Sequence, residues 1–379
     1  MTKRFSLGMA QATDLTRAGK LAEATDLIRS LLTPGASHDA APAEAAVLPD
    51  PDVIEGTFTP VAPKRRAAAA KKAKPSGLKE TLRRIAAGGM PSHAPLAGAA
   101  PGLVTLSHQS DAGQRDYRLY RPASAKAGTA LPVVVMLHGC TQSPDDFAAG
   151  TGMNHLAEEF GLLIAYPAQP SGANAQKCWN WFRPSDQDRD RGEPALIAGI
   201  ARDILRDHGG DSTRVYVAGL SAGGAAAAIA AAAYPDVFSA VGVHSGLPVG
   251  AASDIVSAFS AMRQGAAGDT GASIPPTIIL HGDADTTVHP SNADAVAQQV
   301  VGKSRGLKRK VQSGKSAGGR TFRRISHVTS DGVSICEQWT VANAGHAWAG
   351  GSAAGSYTDP AGPDASREMV RFFLQHRGE

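Results

Sequence analysis

The pentapeptide Gly219-Leu220-Ser221-Ala222-Gly223 sets one hydroxyl between two glycines. It follows the β-branched run Val215-Tyr216-Val217 and precedes an alanine-rich stretch that continues to Ala233. A chain that passes from a strand straight into a helix turns sharply, and flanking glycines let neighbouring backbone pass without a Cβ clash. Ser221 then stands at the carboxyl end of the strand, where its hydroxyl can attack a carbonyl. The Ala222 amide and the start of the helix favour the negative charge that develops on the oxygen. Small residues around a serine also suit plain strand-to-helix packing, so the chemical reading depends on finding partners for the hydroxyl.

A serine is a weak nucleophile until a base takes its proton, and the base needs an acid that fixes its tautomer. After a strand-to-helix elbow of this kind, the acid and then the histidine follow in chain order. The acid candidate lies in His281-Gly282-Asp283-Ala284-Asp285-Thr286-Thr287-Val288. Asp283 and Asp285 compete for the role. Asp285 is favoured, because Asp283 sits in the tight turn where an Asx hydrogen bond to local backbone is the ordinary explanation. The base candidate is His346, in Asn343-Ala344-Gly345-His346-Ala347-Trp348.

The segment His138-Gly139-Cys140-Thr141-Gln142 follows another apolar run. Its glycine permits close backbone approach, so the amide of Cys140, paired with that of Ala222, is the expected oxyanion hole. Cys140 as a nucleophile in its own right lacks an obvious base nearby in sequence. Cys178-Trp179-Asn180-Trp181-Phe182 is unusual in a chain with only 5% aromatic residues. These rings either fill the core or, with Trp348 beside the base, wall a substrate pocket; Trp179, Trp181 and Trp348 are predicted to contact substrate. No ligand spacing for a metal and no cofactor motif appears, so neither is expected.

These residues require strands to carry them. Leu103 to His108 and Tyr117 to Tyr120 read as an opening hairpin, and Leu131 to Leu137 as a strand covered on both faces. A helix is predicted over Phe147 to Phe160, a strand over Leu162 to Tyr166 and a helix over Ala195 to Asp207. Beyond the serine, strands are predicted at Ala240 to Val243, Thr277 to Leu280 and Gln338 to Val341, with helices near Ala293 to Val301 and Ser366 to Gln375. Such alternation makes an α/β fold with a doubly wound, mainly parallel sheet. Active residues of such sheets gather at the carboxyl ends of the strands. The stretch from Ser245 to Pro275 is short and rich in small residues, so no large cap domain is expected.

Of the 379 residues, three segments are read: an amphipathic helical segment (1–33), an Ala/Pro-rich basic linker (34–102) holding a short helix at 76–85, and a catalytic domain (103–379). The first carries Leu15, Ala18, Leu21, Leu27, Ile28 and Leu31 at helical spacing, and adsorption to a hydrophobic particle is a sharper alternative to simple docking. Net charge is +4, with basic residues clustered at Lys64 to Lys74 and from Lys303 to Arg324. These clusters read as solvated tails or loops; no accompanying pattern points to nucleic acid. No run of about 18 apolar residues marks a membrane span. The start of the chain turns polar too soon for a secretory core, so a cytoplasmic location and mostly reduced thiols are expected for Cys140, Cys178 and Cys336. A pairing of Cys140 with Cys178 is the alternative under oxidising conditions.

From about Leu103 onward, these motifs together resemble the poly(3-hydroxybutyrate) depolymerase-like esterases, a family that also takes in feruloyl and acetylxylan esterases. The resemblance rests on Leu137 to Gln142, Cys178 to Phe182, Gly219 to Gly223, His281-Gly282 with Asp285 and Val288, and Gly345 to Trp348 before Gly350-Gly351. It implies an α/β-hydrolase fold, a Ser221-Asp285-His346 triad, oxyanion donors at Cys140 and Ala222, and cofactor-free hydrolysis of carboxylic esters. A hydroxyalkanoate polyester or its oligomers is the expected substrate, and a feruloyl- or acetyl-sugar ester is the alternative. A rival of another class is a non-catalytic binding protein on the same scaffold; a degraded triad would be its signature, and all three members are present.

Overall fold

Strand β3 (Leu131–Leu137) shows how the sequence builds its core: every residue in it is buried. Val133, Val135 and Leu137 point into one apolar cluster, while Val134 and Met136 point into another on the opposite face. A strand with successive side chains on opposite faces needs a continuous apolar run when both faces are covered. The computed structural model describes residues 102–378 apart from 127, 270 and 303. The helical segment expected over 1–33, the linker up to residue 101 and its short helix lie outside them. Among the described residues no helix is long and apolar enough to cross a membrane.

Among the described residues the main sheet has ten strands in the order β1-β2-β4-β3-β5-β6-β7-β10-β9-β8. Strands β1 (Leu103–Ser110) and β2 (Gly113–Tyr120) form the expected hairpin, and β2 lies antiparallel to β4 (Leu163–Pro167). The centre is parallel: β4 beside β3, then β5 (Gly210–Leu220), β6 (Ala240–His244), β7 (Thr277–Gly282) and β10 (Ser334–Val341). On one face pack α1 (Pro144–Thr151), α2 (Met153–Phe160) and α7 (Ala365–Phe373). The other face carries α3 (Gly192–Asp207), α4 (Ala222–Ala233), α5 (Ile255–Gln264) and α6 (Ser291–Val301). Among the described residues from Ser245 to Pro275, α5 is the only helix.

Two readings are corrected. The helix expected over 147–160 is two helices, because Gly152 adopts φ 62° and its amide closes α1 on Ala148 O. The basic run from Lys303 to Arg324 is not a solvated loop: it supplies β8 (Lys308–Lys315) and half of β9 (Thr321–Val328), and β9 lies antiparallel to β10 with β8 antiparallel to β9 at the edge. Charged side chains on an exposed edge strand discourage pairing with another chain, and this is why β8 mixes Lys308, Arg309 and Lys310 with an exposed Val311.

Candidate active site

Ser221 lies between β5 and α4 with φ 59° and ψ −121°, a left-handed backbone that a residue other than glycine adopts at a cost. Close packing makes the turn obligatory. A Cβ on Gly219 would meet Gly223 O at 2.3 Å, and one on Gly223 would meet Leu137 O at 2.1 Å and His138 O at 2.6 Å. The Ser221 amide donates to His244 O at 2.9 Å, tying the elbow to the end of the neighbouring strand.

Asp285 and His346 come together in the loops that follow β7 and β10, two adjacent parallel strands. His346 Nδ1 lies 2.7 Å from Asp285 Oδ2. The second carboxylate oxygen, Oδ1, accepts from the amides of Thr287 and Val288, each at 2.9 Å. Burial alone would push this carboxyl up; hydrogen bonds from His281, His346 and Val288 outweigh it and hold Asp285 well below the usual carboxylate range. An ionised Asp285 makes Nδ1 the protonated nitrogen of His346 and leaves Nε2 as an acceptor. Asp283, the competing acid, accepts the Asn343 amide at 2.6 Å and braces the turn before His346.

The oxyanion segment follows β3. His138 Nδ1 is 2.7 Å from Gly139 O, and its Nε2 accepts the Gln169 amide at 3.1 Å, so the buried ring is neutral; burial lowers its pKa to about 4. Gly139 N donates to Gln142 Oε1, whose amide nitrogen in turn donates to Asp146 and Ser356. Among the described residues the amides of Cys140 and Ala222 donate to no other group, which leaves both available to an incoming oxygen. Cys140 is bonded to Cys178. The expectation of mostly reduced thiols is therefore wrong for this pair, and the alternative pairing of Cys140 with Cys178 is the one found. Cys336 stays free and buried, its thiol pushed up to about 12 by burial.

The sequence profile of the esterase PHB depolymerase family matches residues 115–318. The chain belongs to the esterase PHB depolymerase family. Poly(3-hydroxyalkanoate) depolymerase C of Paucimonas lemoignei is 31% identical over 268 residues, covering 66% of this chain and 64% of that one. Feruloyl esterase B of Thermothelomyces thermophilus is 34% identical over 192 residues, covering 45% of this chain and 65% of the relative. The chain thus spans less than two thirds of the length of these curated relatives. Among solved structures, acetyl xylan esterase from Aspergillus awamori aligns over 73% of this chain and 100% of its own, with TM-score 0.55 and 20% identity. That likeness and the sheet described above make the fold an α/β-hydrolase fold.

The profile of the PHB depolymerase family takes in Ser221, Asp285 and the oxyanion segment, while His346 lies beyond it. The tryptophans of this family member are core residues. Trp179 and Trp348 are 0% and 1% exposed, and Trp181 is 5% exposed. Trp179 Nε1 donates to His138 O, and Trp348 stacks on His244 and donates to Ser366 Oγ. Their predicted place on a pocket wall is corrected: the rings support the loops from behind. Sequence reasoning missed His244, which lies at the end of β6, takes the Ala349 amide on Nε2 and bonds the elbow through its carbonyl. A histidine at the carboxyl end of a strand next to the serine strand was the available signal.

Proposed function

We propose that the protein is a serine esterase that hydrolyses carboxylic esters through an acyl-enzyme. Ser221 Oγ attacks the ester carbonyl while His346 Nε2 takes its proton, and Asp285 holds the imidazole and offsets its charge. The Cys140 and Ala222 amides receive the oxyanion. Collapse expels the alcohol, which leaves with the proton from His346. Water then attacks the acyl carbon, gives a proton to His346, and frees the acid and Ser221. The observation that carries this reading is the Asp285–His346 hydrogen bond in the loops after β7 and β10, in the same sheet whose β5 leads into Ser221 at φ 59°.

The proposed substrate is a polyhydroxyalkanoate, polymer or oligomer, supported by the likeness to poly(3-hydroxyalkanoate) depolymerase C. The likenesses to feruloyl esterase B and to acetylxylan esterase A support feruloyl or acetylated sugar esters as the second reading. Adsorption to a granule surface through residues 1–33 belongs to the first. The test is hydrolysis of a short p-nitrophenyl ester by the wild type and Ser221→Ala, followed by polyhydroxybutyrate, feruloyl esters and acetylated xylan side by side. Equal rates for the two proteins would reject the esterase. Co-sedimentation with polyhydroxybutyrate granules, comparing the full chain with one starting at Leu103, tests the adsorption.

A further inference from the structure

Glu193 is an acid outside the triad that is 5% exposed, at the second position of α3. Its Oε2 accepts the Asn180 amide at 2.7 Å. Its Oε1 accepts Asn180 Nδ2 at 2.8 Å and Gln169 Nε2 at 2.5 Å. The first turn of a helix suits a carboxylate, because the helix dipole is positive there. The side chains it holds belong to one loop, residues 169–182, and that loop grips the oxyanion segment at four points, one of them the Thr141 amide donating to Gln176 O at 2.7 Å. The Gln169 amide donates to His138 Nε2 at 3.1 Å, Trp179 Nε1 donates to His138 O at 3.1 Å, and Cys178 is bonded to Cys140.

A carboxylate buried this deeply is rarely the most stable choice; apolar packing of similar volume is often neutral or better. The local cost is visible. Gln169 gives its amide nitrogen to both Glu193 and Cys178 O, and its own Oε1 is buried without a hydrogen-bond partner. Arg115, also 5% exposed, lies over the Trp179 ring at 5.7 Å and adds a positive charge to the same cluster. What the arrangement achieves is orientation: one carboxylate ties Gln169 and Asn180 near the two ends of a loop whose Gln169 amide, Trp179 indole and Cys178 sulfur hold His138 and Cys140.

We propose that Glu193 is a positioning residue for the oxyanion hole, acting through Gln169, Asn180 and Trp179 on the Cys140 amide. This rests on the serine esterase reading. A donor misplaced by about 1 Å can cost about a hundredfold in rate, and the loss falls on the transition state, where the oxyanion exists, rather than on the bound ester.

The test uses the full chain, a p-nitrophenyl ester and the variants Glu193→Gln, Glu193→Ala and Ser221→Ala. Glu193→Ala is expected to lose between about tenfold and a hundredfold in kcat with KM changed by less than about twofold. Glu193→Gln keeps one acceptor and should fall between Glu193→Ala and the wild type. Affinity for a boronic acid, whose serine adduct is tetrahedral and anionic, should weaken in step with kcat. Wild-type kcat in both Glu193 variants, or a loss confined to KM, would overturn the proposal. If Glu193→Ala does not fold, Glu193→Gln decides by the same criteria. An inactive Ser221→Ala beside fully active Glu193 variants removes the positioning role alone, whereas an active Ser221→Ala removes the esterase reading with it.

Discussion

The 2.7 Å contact between His346 Nδ1 and Asp285 Oδ2 is made by a carboxylate with no side-chain exposure, whose other oxygen is taken by two backbone amides. Those amides fix which oxygen faces the imidazole. Asp285→Asn keeps the shape and lets the side-chain amide donate to Nδ1, which forces the proton onto Nε2 and removes the base. A fall in kcat of about ten-thousandfold is expected, with the fold retained by circular dichroism. Near-wild-type hydrolysis by this variant would mean that Asp285 is not the orienting acid.

Acid should destabilise the protein through buried imidazoles, His138 and His244 at the site among them. Burial lowers His138 to about 4 and His244 to about 3, from an ordinary value of 6.5. Below 6.5 the unfolded chain binds protons that the folded chain refuses, so stability is full above that pH. It is lost as the pH falls toward about 4 for His138 and about 3 for His244. Asp285, with its carboxyl held low, adds a loss of the same sign once unfolded carboxylates begin to protonate, near pH ~4. Urea midpoints should therefore drop steadily from pH 7 to 5, and less steeply in His244→Gln. A flat profile over that range would show that both rings are charged in the native state.

Much of this was legible because it depends on local pattern. The run from Leu131 to Leu137 announces a strand covered on both faces, and the order Ser221, Asp285, His346 after successive apolar runs places three side chains at one rim. What was illegible depends on distant partners. Lys308, Arg309 and Lys310 look solvated until β9 pairs with them, since a charged edge strand and a basic loop share a composition. Trp179 and Trp348 read as either core or pocket wall; the packing of His138 and His244 against them, a matter of distant partners, decides for the core. Glu193 reads as an ordinary first-turn acid, because its partners lie 13 and 24 residues upstream.

The bond between Cys140 and Cys178 closes a loop with a sequence separation of 38. Restricting the unfolded chain by a loop of that size is worth about 3 to 4 kcal/mol. Because the Cys140 amide is also the proposed oxyanion donor, reduction should lower kcat as well as the denaturation midpoint. Cys178→Ser, assayed with and without dithiothreitol, separates the two effects: reductant should change the wild type and leave the variant alone. Identical midpoints for oxidised and reduced wild type would argue that the pair is not bonded in solution.

Trp348 offers a direct comparison between core and pocket. Its ring lies 4.9 Å from His244 and 5.4 Å from Phe147, and its Nε1 donates to Ser366 Oγ. Trp348→Phe keeps an aromatic ring and forfeits the hydrogen bond and some buried area, at a cost of about 1 to 3 kcal/mol. KM for p-nitrophenyl and feruloyl esters should stay within about twofold of the wild type. A large rise in KM at unchanged stability would return the indole to the substrate wall.

Gly223 is the position at which the elbow tolerates least. An added methyl would fall 2.1 Å from Leu137 O and 2.6 Å from His138 O, both backbone atoms of the strand and loop that carry the oxyanion segment. Relief requires either that β5 and β3 move apart, breaking the parallel register between Leu137 and Gly219, or that α4 shifts and takes the Ala222 amide with it. The first route costs stability and the second costs rate. Overpacking of this kind is worth about 3 kcal/mol, and the same displacement weakens an oxyanion donor, so Gly223→Ala should show a lower urea midpoint together with a kcat reduced by at least about tenfold. Gly345→Ala is the control, since a Cβ there meets nothing within 4 Å. If Gly223→Ala proved as stable and as active as that control, the tight crossing of the elbow over β3 would have to be abandoned, and with it the reason for glycines on both sides of Ser221.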